Sequence, residues 1–97
     1  MKKPEQCLDM QEIRNEIDAI DKNIIDLLGL RFGYVKAASK FKKNEQAVKA
    51  PERFAAMLHQ RRIWAEENQL SPDVIESMFR DLVGYFIEQE LKLFSNE

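Results

Sequence analysis

Four charged residues, Arg14, Arg31, Lys42 and Glu90, stand on stripes that the surrounding sequence reserves for apolar side chains. Burying an unpaired charge is expensive, so such interruptions carry more information than charges on a solvated face. Arg31 falls between Leu27/Leu28 and Val35. Lys42 lies eleven residues later, and eleven helical steps of about 100° return to nearly the same face. Arg14 sits at the edge of the same stripe, flanked by Met10 and Ile17. Glu90 follows Phe79 by eleven residues and Phe86 by four, on the inward stripe of a later helix. Arg14 or Arg31 alone is most simply a side chain that pairs with an acidic neighbour or extends its head group to water. Together the four read as a site. Two guanidiniums and an ammonium suit a small dianion such as a dicarboxylate, because arginine forks grip carboxylates bidentately.

Helices must position them. Only three glycines and three prolines occur, and they punctuate the chain as in an all-α protein. Asp9 is placed to cap a helix from about residue 10 to about 41 or 42. Its stripe is Ile13, Ile17, Ile20, Ile24, Leu27/Leu28, Val35 and Ala38. Residues 43–50 show no periodicity and read as a loop. Pro51 suits the first turn of a second helix through about Asn68, carrying Phe54, Met57, Leu58, Ile63 or Arg61, and Trp64 or Ala65. Ser71-Pro72 starts a third helix, with Val74, Ile75, Met78, Phe79, Leu82, Val83, Phe86, Ile87, Leu91 and Phe94 on its stripe. The expectation is a single helical domain over 1–97, with three helices per protomer and a long N-terminal helix.

That first helix, about 33 residues at 1.5 Å rise, would span roughly 50 Å. A compact monomer of this size is little more than about 30 Å across. An apolar stripe running along the projecting part calls for a second chain, most simply by two-fold symmetry, which predicts an intertwined homodimer. The site agrees: Arg14 and Arg31 are about 25 Å apart along one helix and point about 100° apart. If they hold one small ligand, Arg14 comes from the partner protomer.

Composition excludes other chemistries. The chain has 97 residues, 44% hydrophobic and 33% charged, enough for one core and too apolar for disorder. Its 15 Lys+Arg nearly cancel 17 Asp+Glu, and a net charge of −2 gives no field to attract nucleic acid or an anionic membrane. No apolar run approaches the roughly 18 residues of a membrane span, and the polar lead lacks a signal peptide's apolar core, so a cytoplasmic location is expected. Cys7 and His59 are the sole cysteine and histidine. They exclude an internal disulfide and a Cys/His metal cage, and no Gly-x-Ser-x-Gly or phosphate-cradling loop is present. Cys7 reads as a bystander, His59 as a surface or interhelix residue and Trp64 as core. Gly29 and Gly33 suit a close helix approach or room for a ligand, since Asp26, Arg31 and Lys36 exclude a membrane helix.

Motifs along nearly the whole chain resemble the small all-helical (AroQ-type) chorismate mutases, and within them the isochorismate pyruvate lyases of siderophore salicylate synthesis. They are the lead Pro4 to Cys7, Ile13-Arg14-x-x-Ile17-Asp18, Tyr34-Val35-Lys36-Ala37-Ala38-Ser39, Ala50-Pro51-Glu52-Arg53 and Trp64-Ala65-Glu66-Glu67-Asn68. The resemblance implies an intertwined dimer with two equivalent sites. Arg14 would come from one chain, and Arg31, Lys42 and the residue at Glu90 from the other. Arg53 would be a further carboxylate contact, with Val35 and Ala38 lining the apolar floor. One departure is plain: the lyases usually have glutamine where this chain has Glu90, with Gln89 just before it.

The chemistry implied is pericyclic and cofactor-free. Either the enolpyruvyl group of chorismate migrates to give prephenate, or hydrogen moves within isochorismate to give salicylate and pyruvate. No nucleophile, metal or general base is needed. Protein groups hold a compact substrate conformer and place a cation, here Lys42, where negative charge grows on the ether oxygen. Glu90 can donate a hydrogen bond to that oxygen only when protonated; otherwise it neutralises Lys42 or an arginine. The expected activity is isochorismate pyruvate lyase with secondary chorismate mutase activity. The alternatives are a dedicated chorismate mutase of aromatic amino acid synthesis and a non-catalytic helical dimerisation or metabolite-binding module.

Overall fold

Asp9 opens the first helix through its side chain, whose Oδ1 accepts the Glu12 backbone N–H at 2.8 Å. Glu12 in turn accepts from the Leu8 backbone N–H at 2.6 Å and from Lys2 Nζ at 2.6 Å. These two contacts hold its carboxyl below the usual carboxylate range, the Lys2 bond contributing most. The computed structural model describes residues 2–95. Among them the regular elements are helical: α1 (Met10–Ala38), α2 (Glu45–Lys49), α3 (Pro51–Glu67) and α4 (Pro72–Ser95), with 3-10 turns at Pro4–Gln6 and Ser39–Phe41.

The three long helices are those expected, with two differences. First, α1 stops at Ala38 and tightens into the 3-10 turn Ser39–Phe41. Ser39, buried, donates its hydroxyl to the Lys36 carbonyl at 2.6 Å, which favours the tighter winding of a helix end. Lys42 then has extended backbone, φ −101° and ψ 131°. The eleven-step helical register from Arg31 to Lys42 is therefore interrupted, and the 3-10 turn sets where Lys42 stands.

Second, part of the expected loop 43–50 is the short helix α2, capped by Asn44 Oδ1 accepting from the Ala47 N–H at 2.8 Å. Ala50 ends α2 and begins α3 in the left-handed region, φ 38° and ψ 62°. Its N–H donates to the Gln46 carbonyl at 2.9 Å and its carbonyl accepts from the Phe54 N–H at 2.9 Å. Pro51 occupies the first position of α3, where its missing N–H costs nothing. At the far end, Leu70 N–H bonds the Ala65 carbonyl at 2.9 Å and Gln69 N–H bonds the Glu66 carbonyl at 3.0 Å, with Gln69 at φ 60°. That pairing is a Schellman cap. Ser71 Oγ then accepts the Val74 N–H at 3.3 Å to start α4.

The chain divides into two compact units, Met1–Tyr34 and Val35–Glu97. In the second, α3 and α2 pack on α4, and Val48, Met57, Leu58, Ala65 and Phe86 are buried. The choices left open along the second predicted helix resolve in favour of Arg61 and Ala65. Arg61 lies over the Trp64 and Phe79 rings, 4.7 and 5.7 Å from their centroids. Trp64, expected in the core, is instead 47% exposed and serves as the platform for that guanidinium. In the first unit the apolar residues of α1 are on show: Ile17, Ile20, Ile24 and Leu27 are 42–62% exposed, and no residue of α1 is buried. A Cβ added at Gly29 or Gly33 would meet nothing within 4 Å.

Candidate active site

Glu90 is carried on α4 one turn after buried Phe86 and is itself 2% exposed, as its place on the inward stripe implies. Lys42, just past the 3-10 turn, reaches it: Nζ donates to Oε1 at 3.1 Å and lies 2.8 Å from Oε2. The approach to Oε2 is a charge contact whose angle is too poor for a hydrogen bond, so Oε2 accepts none among the described residues. The lysine side chain is 26% exposed. The pair is thus asymmetric, with a buried anion covered by a cation that keeps access to the surface. An ammonium has three donors, so Lys42 retains capacity for a second acceptor while bonded to Glu90.

The other candidates fall in both units. In the second unit, Val35 and Ala38 are half-buried and share a face of α1, three residues apart. Arg53 is exposed at the third position of α3, in the turn opened by Ala50. In the first unit, Arg14 is exposed and Arg31 half-buried, and a straight helix sets them about 25 Å apart. Within the second unit, Lys42 and Glu90 are in direct contact. His59 is exposed on α3, and Cys7 is a free thiol whose Sγ donates weakly to the Lys3 carbonyl at 3.8 Å.

Sequence periodicity gave no hint of Ser39, which sets the tight turn before Lys42, nor of an Arg62–Glu76–Arg80 cluster joining α3 to α4. The turn had one usable signal, a serine able to bond the carbonyl three residues back. The cluster had another, Glu76 and Arg80 one helical turn apart. No group of three or more metal-ligating side chains is assembled among the described residues, and none of the helices is long and apolar enough to cross a membrane.

Comparison with known families matches residues 13–91 to Chorismate mutase type II. The chain belongs to that family. For this chorismate mutase type II chain, the matched span contains Arg14, Arg31, Val35, Ala38, Lys42, Arg53 and Glu90. It is 48% identical over 92 residues to the isochorismate pyruvate lyase of Pseudomonas aeruginosa, covering 95% of this chain and 91% of that protein. It is also 38% identical over 72 residues to the T-protein of Haemophilus influenzae, and 36% identical over 73 residues to that of Enterobacter agglomerans. There it spans only 19% and 20% of the relatives' length.

Proposed function

We propose that the chain is an isochorismate pyruvate lyase, converting isochorismate to salicylate and pyruvate without a cofactor, with chorismate mutase as a secondary activity. The observation that carries this reading is the 48% identity to a lyase of that name over 95% of this chain and 91% of the lyase. The proposed placement is in salicylate synthesis for siderophores, in the cytoplasm.

The active form in this reading is an intertwined homodimer with two shared sites. Support comes from α1, whose 29 residues extend about 43 Å and carry isoleucines and leucines open to solvent along their length. Covering each such side chain is worth about 1.5–3 kcal/mol when complete, and these are roughly half covered already. A partner copy supplies Arg14 to the site containing Arg31, Arg53, Lys42 and Glu90, with Val35 and Ala38 against the ring. The arginines hold the two carboxylates and fold the substrate into its reactive conformer. Hydrogen then passes to the enolpyruvyl group as the ether C–O bond breaks, and the Lys42 ammonium stabilises the charge that grows on oxygen. Glu90 holds the ammonium in place, as in the structure's ion pair.

A dedicated chorismate mutase is the second reading, favoured by the carboxylate at position 90 where the lyases usually have an amide. Incubating the pure protein separately with isochorismate and chorismate, and following salicylate and prephenate, decides the matter. Faster salicylate formation supports the lyase; prephenate alone supports the mutase. Neither product, with either dianion still bound, supports the non-catalytic module.

A further inference from the structure

Away from Lys42 and Glu90, the face where α2 and α3 meet α4 holds a groove of about 500 Å³. Lys49, Phe54, Leu58, Arg62, Glu76 and Arg80 are among its lining residues. That volume lies within the roughly 300–1,000 Å³ of small-molecule sites. Three cations face one carboxylate here, although the whole chain carries a net charge of −2.

Each oxygen of the carboxylate is engaged, and the guanidiniums keep donors to spare. Glu76 accepts from Arg62 Nη1 on Oε1 at 3.3 Å and from Arg80 Nη2 on Oε2 at 3.1 Å. Asp73, 88% exposed, approaches the same Nη1 of Arg62 at 2.9 Å. Each guanidinium has five N–H donors. Nε and Nη2 of Arg62, and Nε and Nη1 of Arg80, make no hydrogen bond to other described residues. Glu76 therefore orients two forks without exhausting them. Apolar groups line the groove beside these cations: Leu58 is 4% exposed at its base, and the Phe54 ring centroid lies 6.0 Å from the Arg80 guanidinium carbon.

We propose that this groove is a second ligand site, separate from the Lys42–Glu90 centre, for a small aromatic monocarboxylate. Its ring lies against Phe54 and Leu58, and its carboxylate meets the free edges of Arg62 and Arg80. Such a ligand arises either as a product of the chain's own chemistry or as an unrelated effector. Salicylate and benzoate represent the two sources.

The test is a titration of the ¹⁵N-labelled full chain, following backbone and arginine Nε–H signals, with salicylate, benzoate, benzyl alcohol and sulfate as separate probes. Wild type is compared with Arg62→Gln and Arg80→Gln, the latter altering a side chain 56% exposed and so remaining usable if the former unfolds. At least one aromatic acid should shift Phe54, Arg62 and Arg80 signals and bind about tenfold more weakly to either variant, since a hydrogen bond between charged partners is lost. Benzyl alcohol and sulfate should each bind about tenfold more weakly than that acid. Binding of benzoate as well as salicylate marks a general effector site; binding of salicylate alone marks a product site. Shifts confined to residues around Lys42 and Glu90, or affinities unchanged in both variants, would overturn the proposal, as would sulfate binding as tightly as the tighter of the two aromatic acids. Changes at the groove that follow protein concentration without ligand would assign it to self-association and overturn it too. Because the readout is binding, a chain that turned over neither isochorismate nor chorismate would leave this result standing.

Discussion

Replacing Lys42 by alanine strips the cation from a carboxylate that is 2% exposed. Removing one partner of a buried pair costs about 3–5 kcal/mol, because the remaining charge has neither water nor counter-ion. The reverse change is milder, since Lys42 is 26% exposed and its head group can turn to water once Glu90 is neutral. We therefore expect Lys42→Ala to lose about 3 kcal/mol, which for a domain of this size lowers Tm by about 12–24 °C. Glu90→Gln should lose about 1 kcal/mol. The double variant Lys42→Ala/Glu90→Gln should recover about 2 kcal/mol relative to Lys42→Ala, because it no longer buries an unpaired charge. Urea unfolding followed by circular dichroism measures all four proteins, at one fixed protomer concentration because self-association contributes to apparent stability. A double variant no more stable than Lys42→Ala would refute the reasoning, since the cost would then lie in lost lysine packing rather than in the orphaned carboxylate.

Gln69→Gly should raise stability by about 0.5–1 kcal/mol, read from the urea midpoint, because glycine accepts the left-handed conformation that closes α3. The Arg80 and Arg62 guanidiniums hold the Glu76 carboxyl below its ordinary value of 4.5. Its contribution to stability is therefore fully present above that pH and is lost as pH falls through the lower folded value. Glu76→Gln should flatten this acid limb of a Tm-against-pH curve while leaving the slope near neutral pH unchanged. For the shared site, mixing Arg14→Ala with Arg31→Ala protein should restore roughly one quarter of wild-type site activity after complete subunit exchange, since one of the two heterodimer sites carries neither defect. A mixture no more active than its components after verified exchange would exclude a site built from two chains.

Signals that act within one turn were legible from the amino acids. Asp9, Pro51 and Ser71 each start the helix their chemistry suggests, because a cap is a contact between residues two or three apart. Glu90 was legible for a related reason: its spacing from Phe86 is one turn of uninterrupted helix. Lys42 does pair with Glu90, but the register that pointed to it is one the chain abandons at Ser39, whose hydroxyl takes a backbone carbonyl. The short helix α2 was missed because five residues give too little periodicity; the usable sign was Asn44 ahead of Glu45. Trp64 was misplaced because size and apolarity suggest burial, whereas Arg61 uses the ring's face from outside. Nothing in the pattern of charges showed that Arg62 would meet Glu76, fourteen residues on and on another helix.

Ala50 serves two helices at once, and this makes 45–67 a bent rod with no slack at its joint. Insertions before Asn44 can be taken up as a bulge, because that stretch is not yet helical. One extra residue within the first turn of α3 would instead swing Arg53 by about 100° around the helix, or drag the packed remainder of α3 out of place. Length variation among descendants of this chain should therefore collect at residue 43, between the Lys42 ion pair and the Asn44 cap, and avoid 50–53. The joint is also a poor place to graft a tag or loop, while the approach to Asn44 is a permissive one.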